Sequence, residues 1–166
     1  PADMDFVDVP AGSFYENAVK WAVEKNITTG TSDTTFTPDG ICTRAQAVAF
    51  LWRAAGSPEP KSTTMTFSDV QVGSYYEKAV LWAVENGITK GTSQTAFSPN
   101  ATCSRSQIVT FLWRSQQSPT VSANNPFTDV TATAYYANAV LWAVEKNVTA
   151  GTSSTTFSPN ADCTRA

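Results

Sequence analysis

The chain has 166 residues, 42% of them hydrophobic and 15% charged, the balance of a folded domain that buries a core. A formal charge of −3 and a pI near 4.8 exclude nucleic acid or an anionic membrane as a partner held by bulk electrostatics. There is no histidine, which removes Ser-His and Cys-His nucleophile pairs and every histidine-containing zinc site.

No apolar run approaches the ~18 residues needed to cross a bilayer, and the opening "PADMDF" lacks the pattern of a signal peptide. The expectation is either a cytosolic chain or an excised piece of an exported one. Phe6 opens "FVDV", and "FSDV" and "FTDV" return at Phe67 and Phe127. The same register carries Trp21, Trp82 and Trp142; Gly30, Gly91 and Gly151; and Cys42, Cys103 and Cys163. So many matches at one offset mark an internal repeat, with units at 4–57, 65–117 and 125–166.

In the first predicted helix, "SFYENAVKWAVEKNI", Ser13 and Glu16 have the spacing of a capping box, repeated by Ser74 and Glu77. Tyr15, Ala18, Val19, Ala22 and Val23 fall at i, i+3, i+4, i+7 and i+8, one buried stripe that Trp21 broadens. Asn26, Gly87 and Asn147 stand where a left-handed residue ends such a helix, each followed by an aliphatic. The polar stretch "TTGTSDTTFTPDGI" then reads as a loop pinned by Phe36. A second helix begins with the Thr43 to Gln46 box, matched by Ser104 to Gln107. It buries Val48, Leu51, Trp52 and Ala55 and ends at Gly56. "SPEPKSTT" and "QQSPTVSANNP" link the units.

One helix pair cannot bury both its apolar stripes, so the units share a core. The predicted fold is all-α: three tandem helix-loop-helix repeats packed around a pseudo-threefold axis. The third repeat stops at "CTRA" and lacks its second helix, so fewer than three equivalent sites are expected.

Each unit places an arginine directly after the Thr or Ser of its second cap position, at Arg44, Arg105 and Arg165. A cation there opposes the helix dipole by about 0.3–1 kcal/mol. Free first-turn amides beside a guanidinium would suit an incoming carboxylate. Asp8, Asp69 and Asp129 recur in register too, so a structural Arg–Asp bridge is the other reading. Trp21, Trp82 and Trp142 suit a sugar face or the core. Gly30, Gly91 and Gly151 suit turns or a close ligand approach. The cysteines read as buried free thiols, although three on an axis would also suit a metal; an odd count at one per unit is no disulfide framework.

In "FVDV", "AVKWAVEKNI", "GTSDTTFTP" and "TRAQ", repeated nearly three times, the chain resembles the S-layer homology family over essentially its whole length. It departs from that family's pattern at Gln46 and Gln107, where Glu is usual, and at Phe14, Tyr75 and Tyr135, where Trp is frequent. The resemblance implies a spindle of helices at the bacterial cell surface, in the cell wall or S-layer. It implies a noncatalytic anchor binding an anionic secondary cell-wall polysaccharide, often pyruvylated. The arginines of the "TRAE" position would hold the acidic group in grooves between repeats. The implied ligand residues are Arg44, Arg105, Arg165, Asp8, Asp69, Asp129, Trp21, Trp82, Trp142, Gly30, Gly91 and Gly151, with no catalytic residue, metal or cofactor. The alternatives are a protein-interaction or self-assembly module, with self-association through the incomplete third repeat, and a glycan-cleaving enzyme. The enzyme needs a carboxylate pair in one cleft, and no unit has a pair of its own.

Overall fold

A computed structural model of the chain describes residues 6–166, so the boundary set at residue 4 lies outside the described residues. Five helices follow in order: α1 (Glu16–Glu24), α2 (Arg44–Ala54), α3 (Glu77–Glu85), α4 (Arg105–Ser115) and α5 (Ala137–Glu145). Only isolated backbone bridges occur beside them among the described residues.

The caps of α2 and α4 form as their sequence demands. Thr43 accepts from the Gln46 amide while the Gln46 side chain accepts from the Thr43 amide, and Ser104 with Gln107 does the same. Asn26, Gly87 and Asn147 adopt φ of 56°, 67° and 56°, ending α1, α3 and α5.

The expected box at Ser13 does not form. Residues 13–15 make a turn first, the helix starts at Glu16, and the Ser13 hydroxyl is buried without a partner. Glu16 reaches past it to the Gly12 amide at 2.7 Å, and Glu77 treats Gly73 identically while Ser74 is left unpaired.

Helices pair between units, α2 on α3 and α4 on α5, with α2 also touching α4. Ala79, Val80, Ala83 and Val48 are thereby fully buried, as are Ala139, Val140 and Ala143. No helix packs against α1 among the described residues. Its Ala18 is exposed where Ala79 and Ala139 are sealed.

The threefold closure is made by backbone. The Cys42 amide donates to the Cys163 carbonyl (2.8 Å), Cys163 to Cys103 (3.1 Å) and Cys103 to Cys42 (2.9 Å). This ring ties the three units at one point, two residues before each arginine.

Candidate functional site

The ring delivers each arginine to the next unit's loop. The Arg44 amide donates to the Ala101 carbonyl and the Ala45 amide to Pro99. Arg105 and Ser106 bond Ala161 and Pro159, and Arg165 and Ala166 bond Gly40 and Pro38. With Gln46 N held by Thr43, the first-turn amides of α2 are occupied. They are therefore not open to an anion, which corrects the expectation of free amides there. It also explains how a cation is tolerated: carbonyls of the neighbouring unit already cover the positive helix end.

The side chains follow the same cycle. Arg44 Nε donates to the Phe97 carbonyl at 2.9 Å, Arg105 Nε to Phe157 at 2.8 Å and Arg165 Nε to Phe36 at 2.8 Å. Each guanidinium stacks on the ring of that phenylalanine at 4.7–4.9 Å, a contact that stabilises a desolvated cation. Arg44 is only 4% exposed, and burial lowers its pKa and that of Arg165 from the ordinary arginine value. Arginine nonetheless stays charged.

The aspartates do not pair with them. Asp8 accepts from the amides of Phe36 and Thr37, Asp69 from Phe97 and Ser98, and Asp129 from Phe157 and Ser158. The two salt bridges among the described residues are Lys20–Glu16 and Lys78–Glu59. The aspartates thus orient the loop whose carbonyl receives the arginine. The amides of Phe36 and Phe157 hold the Asp8 and Asp129 carboxyls below the usual range, against the opposing effect of burial.

Two equivalent grooves result, of about 330 and 380 Å³. The first is lined by Gly30, by Gln46, Phe50 and Arg53 of α2, by Tyr75 of the second unit and by Arg165 of the third. The second repeats this with Gly91, Gln107, Phe111, Arg114, Tyr135 and Arg44. No carboxylate lines either groove. Arg105 faces a smaller, mostly apolar space of about 140 Å³ with Ile108, Leu112 and Val148.

Of the other expected site residues, Gly30, Gly91 and Gly151 have φ of 81–88°. A Cβ at Gly91 would lie 2.5 Å from the Ala96 carbonyl and from the Phe67 ring, so the loop itself requires glycine. Trp21, Trp82 and Trp142 line neither groove; they run from 53% exposed at Trp21 to 7% at Trp142. The cysteines are free, and no metal-binding cluster occurs among the described residues.

Arg53, Arg114, Tyr75 and Tyr135 were not among the expected site residues. Gln46, Phe50 and Arg53 stand at i, i+4 and i+7, one helix face that the repeat copies at Gln107, Phe111 and Arg114, so spacing carried that signal.

The model of the S-layer homology domain matches residues 5–48, 66–109 and 126–166. The chain belongs to the S-layer homology family. An S-layer protein of Bacillus thuringiensis subsp. finitimus is 26% identical over 99% of this chain and 20% of its own length. An S-layer protein of Bacillus anthracis is 28% identical over 67% of this chain and 13% of itself. An endoglucanase of a Bacillus species is 34% identical over 68% of this chain and 12% of itself. The S-layer homology chain thus spans at most a fifth of these relatives. By family it is an extracellular module of the bacterial cell surface, and a noncatalytic one in S-layer proteins. No helix among the described residues is long and apolar enough to cross a membrane.

Proposed function

We propose that this S-layer homology module anchors its parent protein to the cell wall by binding an anionic secondary cell-wall polysaccharide in the two grooves. The supporting observation is that Arg44 and Arg165, desolvated and without a carboxylate partner, line open cavities beside Arg114 and Arg53. A desolvated cation lacking a counter-ion gains most from an anion that enters already aligned. Arg53 and Arg114 donate Nη1 to the carbonyls of Ile27 and Ile88, which fixes their heads at the rim. Acidic substituents, among them a pyruvate ketal, fit such paired guanidiniums.

The test is co-sedimentation with cell-wall sacculi before and after removal of the polysaccharide. Binding that disappears with the polymer, and weakens at least tenfold in the Arg53→Gln, Arg114→Gln double variant, supports the anchor; one lost charge-assisted hydrogen bond already costs about 1.5–3 kcal/mol. Equal binding to stripped and intact walls overturns it.

Self-association is a second reading. Phe14, 90% exposed, borders an apolar cavity of about 300 Å³ on the uncovered side of α1.

A further inference from the structure

The two grooves are copies in all but two places. Where the first has Thr29 and Ala49, the second has Lys90 and Thr110. The Thr110 hydroxyl donates to the Ser106 carbonyl at 2.6 Å, so its proton is not available to a ligand. Lys90 is different. It is exposed, directly precedes Gly91, and makes no ion pair or hydrogen bond among the described residues. The third unit has Ala150 at this position.

The second groove therefore holds three cations, Arg44, Lys90 and Arg114, against Arg165 and Arg53 in the first, and neither is lined by an acid. The two guanidiniums are each tied to a backbone carbonyl, whereas the lysine head is a mobile point charge. An anion seated between the arginines leaves Lys90 unanswered if it carries one charge. A second negative charge on the same sugar residue answers it.

We propose that Lys90 makes the second groove selective for a glycan residue bearing two negative charges, such as a phosphorylated sugar, while the first groove takes a single charge without preference. This rests on the polysaccharide-anchoring reading and refines it.

The test is an amide NMR titration of the whole chain at pH 8 with glucose 6-phosphate, glucuronate and, as the neutral control, glucose. Gly30 and Gly91 report separately on the two grooves. At that pH the phosphate carries close to two charges and glucuronate one. Gly91 should report glucose 6-phosphate binding about two- to five-fold tighter than glucuronate, the scale of one exposed charge contact. Gly30 should report no such ratio. Lys90→Thr should abolish the preference, and Thr29→Lys should create it at Gly30; both sites are exposed, so neither variant threatens the fold. An equal ratio in both grooves, or a ratio unchanged by Lys90→Thr, overturns the inference alone. If neither acidic sugar moves either amide more than glucose does, the anchoring reading falls with it.

Discussion

Arg44 donates its Nε to the carbonyl of Phe97, 53 residues further along the chain, and Phe97 in turn donates its amide to Asp69. The aspartate fixes the loop, the loop presents a carbonyl, and the carbonyl aims the guanidinium. The same relay runs from Asp129 through Phe157 to Arg105, and from Asp8 through Phe36 to Arg165.

Arg44 is thus part of the seam between units as well as a wall of a groove. Arg44→Ala strands the buried Phe97 carbonyl and removes the cation from two aromatic rings, those of Phe97 and Phe111. We expect a loss of about 1–3 kcal/mol, the cost of a buried acceptor left unpaired, read as a lower urea midpoint. An unchanged midpoint would show that the contact contributes nothing to the seam.

The relay also sets an acid dependence. Asp8 and Asp129 have folded pKa values below their ordinary value near 3.8, chiefly through the Phe36 and Phe157 amides. A carboxyl depressed by folding contributes stability that is full above the unfolded pKa and lost as pH falls through the folded one. Asp129→Asn retains one acceptor oxygen and turns an amide donor toward the Ser158 N–H. It should lower the melting temperature at pH 7, and the gap to wild type should close as both are titrated below pH 4. A gap independent of pH would assign the loss to packing.

What the sequence made legible was local. Asn26 and Gly87 announced helix ends, and Thr43 with Gln46 announced a helix start, because each device lies within four residues and leaves a residue-type signature. Ser13 had the right spacing for a box and fails, since a preceding turn moved the helix start to Glu16, which no residue type encodes. The ring of Cys42, Cys103 and Cys163 is made of amides and carbonyls, so the side chains carried no trace of it, and the threefold arrangement followed from unit count alone. For the same reason the burial of Arg44 was invisible: its acceptor is a backbone carbonyl in another unit. Lys90 breaks the repeat, with Thr29 and Ala150 at its equivalent positions, so periodicity carries no sign of it.

The cysteine ring predicts a slow thiol chemistry. Burial pushes Cys42 up to about 11 and Cys103 up to about 12, and raises Cys163 as well. Only the thiolate reacts readily with a disulfide reagent, so at pH 8 Cys163, which is partly accessible, should react first. Cys42 and Cys103 should follow at the rate of unfolding, and all three should react at once in guanidinium chloride. The raised values also mean that these thiols stabilise the fold below about pH 9, and that this contribution is lost as pH rises through 11 and 12. Three equally fast thiols in the native protein would contradict the buried ring.

The uncovered side of α1 predicts concentration-dependent association. Ala18, Val19 and Ala22 line a cavity that also includes Phe36 and Phe50, and Phe14 stands at its edge almost wholly in solvent. Because one patch holds both the cavity and the protruding ring, two copies related by a twofold axis can each offer Phe14 to the other, the self-complementary arrangement of an isologous dimer. Wild-type protein should therefore sediment faster as its concentration rises. Ala18→Glu sets a charge in the patch at an exposed position, so the fold should survive while the protein stays monomeric. Sedimentation velocity reads both. A wild type that remains monomeric at every concentration, or a variant that associates equally well, would remove α1 as the contact.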